Sequence, residues 1–290
     1  MGNQVFVSTT FVKDQQKLSY ALDMLRNLNI DGVELGSNHC FEEDYSYIHE
    51  YNYRYLTHNY FPIPRNSFVI NLASNDSEIR HKSLAHAKKA IDFSAENNCE
   101  IYTVHPGFVT DPLGAGMARD NYDFNFSDDV ITKKMVKDAT DNLYKSLDKL
   151  VNYSKGKLVN LAIETEGSRS HYNKLLMQKP EDYASLFEKF SPYDIGINLN
   201  IGHLALARNE FNFCALEFCE FISEYVIAME LSHNNGHEDE HLPLINEEWY
   251  WQIILDDKFL DVPKILEFRN TSISEINKNI LLMKKDDGNV

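Results

Sequence analysis

Short apolar runs alternate along this chain with longer stretches whose apolar positions recur every three or four residues. The first run is Val5 to Thr9; an amphipathic stretch from Asp14 to Leu28 follows, with Leu18, Ala21, Leu22 and Leu25 on one face. Asn29 and the turn at Asp31-Gly32 stop that helix. Further runs lie at Gly32–Leu35, Tyr53–Thr57, Glu100–Val104, Lys157–Ile163, Asp194–Leu199, Val226–Leu231 and Lys264–Glu267. Helical patterns are expected over Ser77–Asn97, with Asp76 or Ser77 as cap, and over Asp128–Tyr153, Leu204–Phe221 and Ser272–Lys285. Eight strands, nearly all separated by helices, predict an α/β fold of one domain over 1–290, closed as a (β/α)8 barrel. An open doubly wound sheet would want a Gly-rich phosphate turn after its first strand, and Val5–Thr9 is followed by none. The one long connection, Pro106 to Phe126, is expected to shape a binding site or to be mobile, and Asp286–Val290 reads as a frayed tail.

Composition narrows the picture modestly. The four cysteines, Cys40, Cys99, Cys214 and Cys219, form no CxxC pair and read as reduced thiols. The start, MGNQVFVSTT, has no basic-then-apolar leader, and no apolar run approaches a membrane span, so a cytoplasmic protein is expected. A net charge of -16 opposes binding to a phosphate polyanion and makes nucleic acid a disfavoured partner. The 16 tyrosines and 17 phenylalanines leave room for a self-association surface, so a homo-oligomer is one expectation.

The ligand-type residues cluster at the ends of the expected strands. His58 ends the third, His105 the fourth (VHPG), Glu164 the fifth (AIETEG), His233 the seventh (MELSH) and Glu267 the eighth (ILEFRN). Asn200 and His203 follow the sixth (INLNIGH), and Asp239 and His241 follow the seventh. A barrel brings these ends to one face, where catalytic groups lie. Imidazoles and carboxylates that would be costly to bury singly can share a cation there. Their mixture suits Zn, Mn, Co or Fe, and Mg less well. His39, His49, His81, His86 and His171 fall outside this placement and are read as loop or surface residues, while His237 sits inside the loop that carries Asp239 and His241.

These segments resemble the xylose-isomerase-like barrel superfamily, which includes sugar phosphate isomerases and epimerases and endonuclease IV. VELG, VHPG, the Glu-ended fifth strand, the NxGH element and the His233–Asp239–His241 stretch carry the likeness. In the epimerase branch one metal is held from four strand ends, which implies Glu164, Asn200, His233 and Glu267 here. Asn200 departs from that pattern, because the family has Asp. In the endonuclease branch nine positions hold three metals, matching His58, His105, Glu164, Asn200, His203, His233, Asp239, His241 and Glu267, of which eight keep the expected ligand type. The resemblance implies a divalent-metal isomerase or epimerase of a small sugar or sugar derivative. Glu164 and Glu267 would be its acid/base pair around an enediolate. His58, His105, His203 and Arg269 would bind the substrate, and the alternative for Arg269 is an ion pair with a neighbouring acid. A multinuclear phosphoesterase of the endonuclease IV type and a non-catalytic sugar-binding barrel are the alternatives.

Overall fold

The computed structural model describes residues 4–112, 130–167 and 174–285. Eight parallel strands follow one another in chain order, and the first pairs with the last, closing a barrel. They are β1 Val5–Ser8, β2 Gly32–Leu35, β3 Arg54–His58, β4 Ile101–Val104, β5 Asn160–Glu164, β6 Gly196–Asn200, β7 Val226–Leu231 and β8 Lys264–Leu266. The helices between them are α1 Leu18–Leu25, α2 Ser77–Glu96, α3 Lys133–Ser154, α4 Pro180–Phe187, α5 Ile201–Phe211, α6 Ala215–Ile222, α7 Trp251–Ile254 and α8 Ile273–Lys285.

Successive side chains on a strand face opposite ways, so each short strand serves two environments. The outward set, including Val7, Val33, Tyr102, Ile163, Leu199 and Leu231, is buried with the inner faces of the helices. The inward set forms two layers. Phe6, Leu56, Ile101, Ala162, Ala228 and Ile265 make a small apolar floor. Gly32 leaves the room for it, since a Cβ there would lie 2.1 Å from the Phe6 ring. Two residues further along the strands the inward positions turn polar: Ser8, Glu34, His58, Thr103, Glu164, Asn198, Asn200, Glu230 and Glu267, all buried. An apolar plug below and a polar layer above place the chemistry at the C-terminal mouth.

The stretch expected as one helix over Leu204–Phe221 is two. Asn212 adopts a left-handed conformation (φ 53°) and ends α5, and α6 begins at Ala215. Helix α4, absent from the sequence reading, starts on Pro180, whose fixed φ suits a first helical turn, with Asp182 accepting from the amides of Gln178 and Lys179. The Pro106–Phe126 connection beyond Pro112, the tail 286–290 and His171 lie outside the described residues.

Candidate metal centre and active site

Strand β6 runs into α5 without a loop, so Asn200 is both the last strand residue and the helix cap. Its Oδ1 accepts the backbone N–H of His203 at 3.0 Å. That leaves Nδ2 facing into the mouth, where it donates to Glu164 Oε1 (2.9 Å), Glu230 Oε2 (2.9 Å) and Glu267 Oε2 (3.3 Å). Three carboxylates from β5, β7 and the end of β8 therefore converge on one amide.

Two imidazole–carboxylate clusters flank this centre. On one side Glu164 Oε2 lies 2.8 Å from His58 Nε2 and 3.1 Å from His105 Nε2. His105 Nδ1 in turn meets Glu166 Oε1 at 2.6 Å. On the other side Asp239 Oδ2 lies 2.8 Å from His241 Nε2 and 3.7 Å from His203 Nε2. His203 Nδ1 contacts the Thr165 carbonyl at 2.8 Å and Glu164 Oε1 at 3.1 Å, linking the two sides. His241 Nδ1 is 3.1 Å from Glu267 Oε2. Each flanking cluster offers two imidazole nitrogens and one carboxylate oxygen within 4.8 Å of one another. That donor set fits a borderline divalent cation such as Zn or Mn. Among the described residues His58 Nδ1 has no hydrogen-bond partner.

Electrostatics divides the buried carboxyls into two kinds. Burial alone would raise Glu164, but His105, His203 and His58 around it hold the carboxyl well below its ordinary value. Burial likewise opposes ionisation of Glu267, and His241 overrides it, bringing the group to about 2. Asp239 is held low against burial by His241 and His203. Deeper in the barrel burial wins. Glu34 is raised by desolvation, and Glu230 is raised well above its usual range by desolvation and by Glu164, Glu267 and Glu34. Glu230 accepts from two amides, Asn198 Nδ2 (2.7 Å) and Asn200 Nδ2, which favour the charged form; burial and three like charges outweigh them. The imidazoles move the other way. Burial would lower His58 and His241, yet Glu34 and Glu164 beside the first, and Asp239 and Glu267 beside the second, push both up to about 9. Carboxylates of one kind thus sit against imidazoles whose proton they favour, and a cation would take the place of that proton.

The structure brings together His58, His105, Glu164, Asn200, His203, Asp239, His241 and Glu267. It sets two expected residues differently. His233, expected as a ligand, lies beside Tyr250, with Nδ1 3.5 Å from the Tyr250 hydroxyl, and belongs to none of the clusters among the described residues. The strand explains why: Ala228 and Glu230 face inward, and position 233 is out of phase with them, so Glu230 meets Asn200 instead. Arg269 Nη2 lies 3.7 Å from Asp239 Oδ2, the ion pair with a neighbouring acid that was its alternative role. Glu34, Asn198 and Glu230 were missed by a reading that looked only at strand ends. Their signal was the alternation itself, in GVEL, INLN and VIAMEL. Of the histidines read as loop or surface residues, His39 lies in the loop after β2 and is buried there, and His86 is buried on α2.

Comparison with known proteins agrees with this architecture. Residues 22–285 match the family model described as xylose isomerase-like TIM barrel. The chain belongs to that family. An uncharacterized protein from Methanocaldococcus jannaschii is 20% identical over 93% of this chain and 85% of its own length. Among solved structures, a D-tagatose 3-epimerase-like protein superposes with TM-score 0.74 at 19% identity, covering 98% of this chain and 97% of that one. Endonuclease IV from Thermus thermophilus superposes with TM-score 0.61 at 13% identity, covering 97% and 98%. Such distant likeness establishes a shared fold, while a barrel of this kind hosts many reactions.

Proposed function

We propose that this xylose isomerase-like barrel is a divalent-cation-dependent isomerase or epimerase of a small sugar or sugar derivative. The observation that carries the reading is the pair Glu164 and Glu267, two ionised carboxylates facing each other across the Asn200 amide at the barrel mouth. Inversion of a C–H centre beside a carbonyl needs a carboxylate that takes the proton on one face and a carboxylic acid that returns one on the other, so in that step one of Glu164 and Glu267 would be ionised and the other would carry a proton taken up from solvent. The likeness to a D-tagatose 3-epimerase-like protein supports this reaction class.

His58, His105 and Glu164 would hold one cation, and His203, Asp239 and His241 another. A cation there supplies a positive charge that polarises a substrate oxygen and favours the anion formed beside it. The chain's own groups do the rest. The Asn200 amide holds Glu164 and Glu267 at fixed separation. His241 keeps Glu267 ionised until substrate displaces that contact, which raises its basicity toward a C–H proton. Arg269, half-buried beside Asp239, would bind an anionic substrate group.

The test is solvent exchange. Incubation with aldoses, ketoses and their phosphates in D2O with Mn or Zn should place deuterium on the carbon beside the carbonyl. Glu164→Gln and Glu267→Gln should each slow exchange by about 10²–10⁴-fold, the usual worth of a positioned acid or base. Undiminished turnover in either variant would remove the two-carboxylate mechanism. A second reading, hydrolysis of a phosphate ester, is favoured by the two flanking clusters, since a two-cation clamp suits in-line displacement. Phosphate release without deuterium uptake would select it.

A further inference from the structure

The centre of the mouth is occupied by protein. We propose that the Asn200 amide takes the place of a cation there, so that cations bind at the flanking clusters and not among Glu164, Glu230 and Glu267. The inference goes beyond the proposed reaction and holds whichever chemistry the mouth performs.

The orientation of the amide is fixed from both sides. Only an oxygen can accept the His203 N–H, and Oδ1 does so at 3.0 Å. Only an NH2 group can donate to three carboxylate oxygens, and Nδ2 reaches them at 2.9, 2.9 and 3.3 Å. Turning the amide over would set donor against donor at the helix and acceptor against carboxylates at the mouth. A metal bound among these carboxylates would meet N–H hydrogens, which carry positive charge and offer no lone pair. The residue type decides the outcome. Aspartate at position 200 could still cap α5 with one oxygen, but its other oxygen would face three carboxylates, an arrangement that calls for a cation. Glu230 completes the case. Its two oxygens are divided between the Asn198 and Asn200 amides, so the strand end of β6 satisfies it without an ion. Beneath lies Glu34, fully buried, with no donor on either oxygen among the described residues. At the centre of the mouth, then, amide donors from Asn198 and Asn200 meet the carboxylates, whereas the flanks set imidazole nitrogens against theirs.

The experiment counts ions. Full-length protein is stripped with chelator, loaded with Mn, passed through gel filtration and analysed by elemental mass spectrometry. His105→Ala combined with Asp239→Ala takes one ligand from each flank, and this double variant should retain no Mn. Adding Asn200→Asp to it should restore one Mn per chain, lost again on Glu267→Gln. An ion retained by the double variant with Asn200 intact, and lost on Glu267→Gln, would overturn the proposal. So would a folded Asn200→Asp protein that takes up no additional ion. Circular dichroism with and without Mn covers the remaining cases. An Asn200→Asp protein that folds only when Mn is present supports the proposal, since the four oxygens then require the ion. If that variant folds under neither condition, the count for the double variant decides alone. Deuterium exchange plays no part in this readout, so failure here and failure of the isomerase reading are separate results.

Discussion

A buried histidine away from the mouth provides a cleaner titration than those within it. His39 Nε2 meets Thr9 Oγ1 at 2.8 Å, and its Nδ1 meets the Gln16 carbonyl at 3.3 Å, an arrangement that suits the neutral ring protonated on Nδ1. Burial lowers its pKa from 6.5 to about 4, against a smaller opposite effect of the Gln16 carbonyl. The unfolded chain therefore binds the proton first as pH falls. The contribution is fully present above pH 6.5 and is lost as pH drops from 6.5 through 4, amounting to about 3 kcal/mol at 1.36 kcal/mol per unit. Denaturation midpoints from pH 7 to 4 should show His39→Gln losing less stability than the wild type by about that amount; parallel curves would refute it. Residue type and strand-end position gave the sequence reading no access to this burial, because His39 follows β2 in a segment without periodicity. The same limit explains Glu230 and His233: proximity to a strand end selected the histidine, while the inward phase belonged to the glutamate. Gly167 shows a constraint of another sort. An added Cβ would lie 2.1 Å from the His203 carbonyl oxygen and 2.8 Å from its carbon, backbone atoms of the helix that carries His203. Gly167→Ala should cost about 1–3 kcal/mol by overpacking and reduce metal uptake at the Asp239 cluster; unchanged melting and uptake would show that the helix gives way freely.

Helix α2 illustrates what sequence resolves well at the level of an element. Asp76 was an expected cap, and its carboxylate accepts from the amides of Glu78 (2.7 Å) and Ile79 (3.4 Å). Asp76→Ala should lower stability by about 1 kcal/mol, seen as a drop in melting temperature with turnover intact; equal stability would place the helix start under other control. The strands were legible because each is a short apolar run, and β2 and β7 keep their expected limits of Gly32–Leu35 and Val226–Leu231. The break between α5 and α6 was not, since Asn212 has no flanking Gly or Pro to mark its left-handed turn. Helix α4, of eight residues, is too short for its period to stand out, and only Pro180 and the acids after it mark its start.

For the molecule as a whole, closure of the barrel decides which groups meet. Alternation of strands and helices sufficed to foresee the barrel, and the barrel sufficed to bring eight of the expected groups to one mouth. What it left open was their pairing, because that depends on phase within each strand and on which atoms of Asn200 the helix α5 already uses. The assembled mouth is an acidic interior in a chain of net charge -16, with imidazoles set between its carboxylates. Such a surface attracts cations, and the proposed sites would hold divalent ions in the folded chain alone. Binding that favours the folded state stabilises it by about 2.7 kcal/mol at a ligand concentration a hundredfold above Kd. For a chain of this size that corresponds to a rise in melting temperature of roughly 5 °C. Mn or Zn added to chelator-stripped protein should produce this shift, and magnesium a smaller one, since imidazole donors suit it poorly. The rise should vanish when His105→Ala and Asp239→Ala are combined, because both flanking clusters then lack a ligand. A wild-type melting temperature indifferent to every divalent ion would mean that the imidazolium–carboxylate pairs are permanent, and that the mouth works through proton transfer among its own side chains.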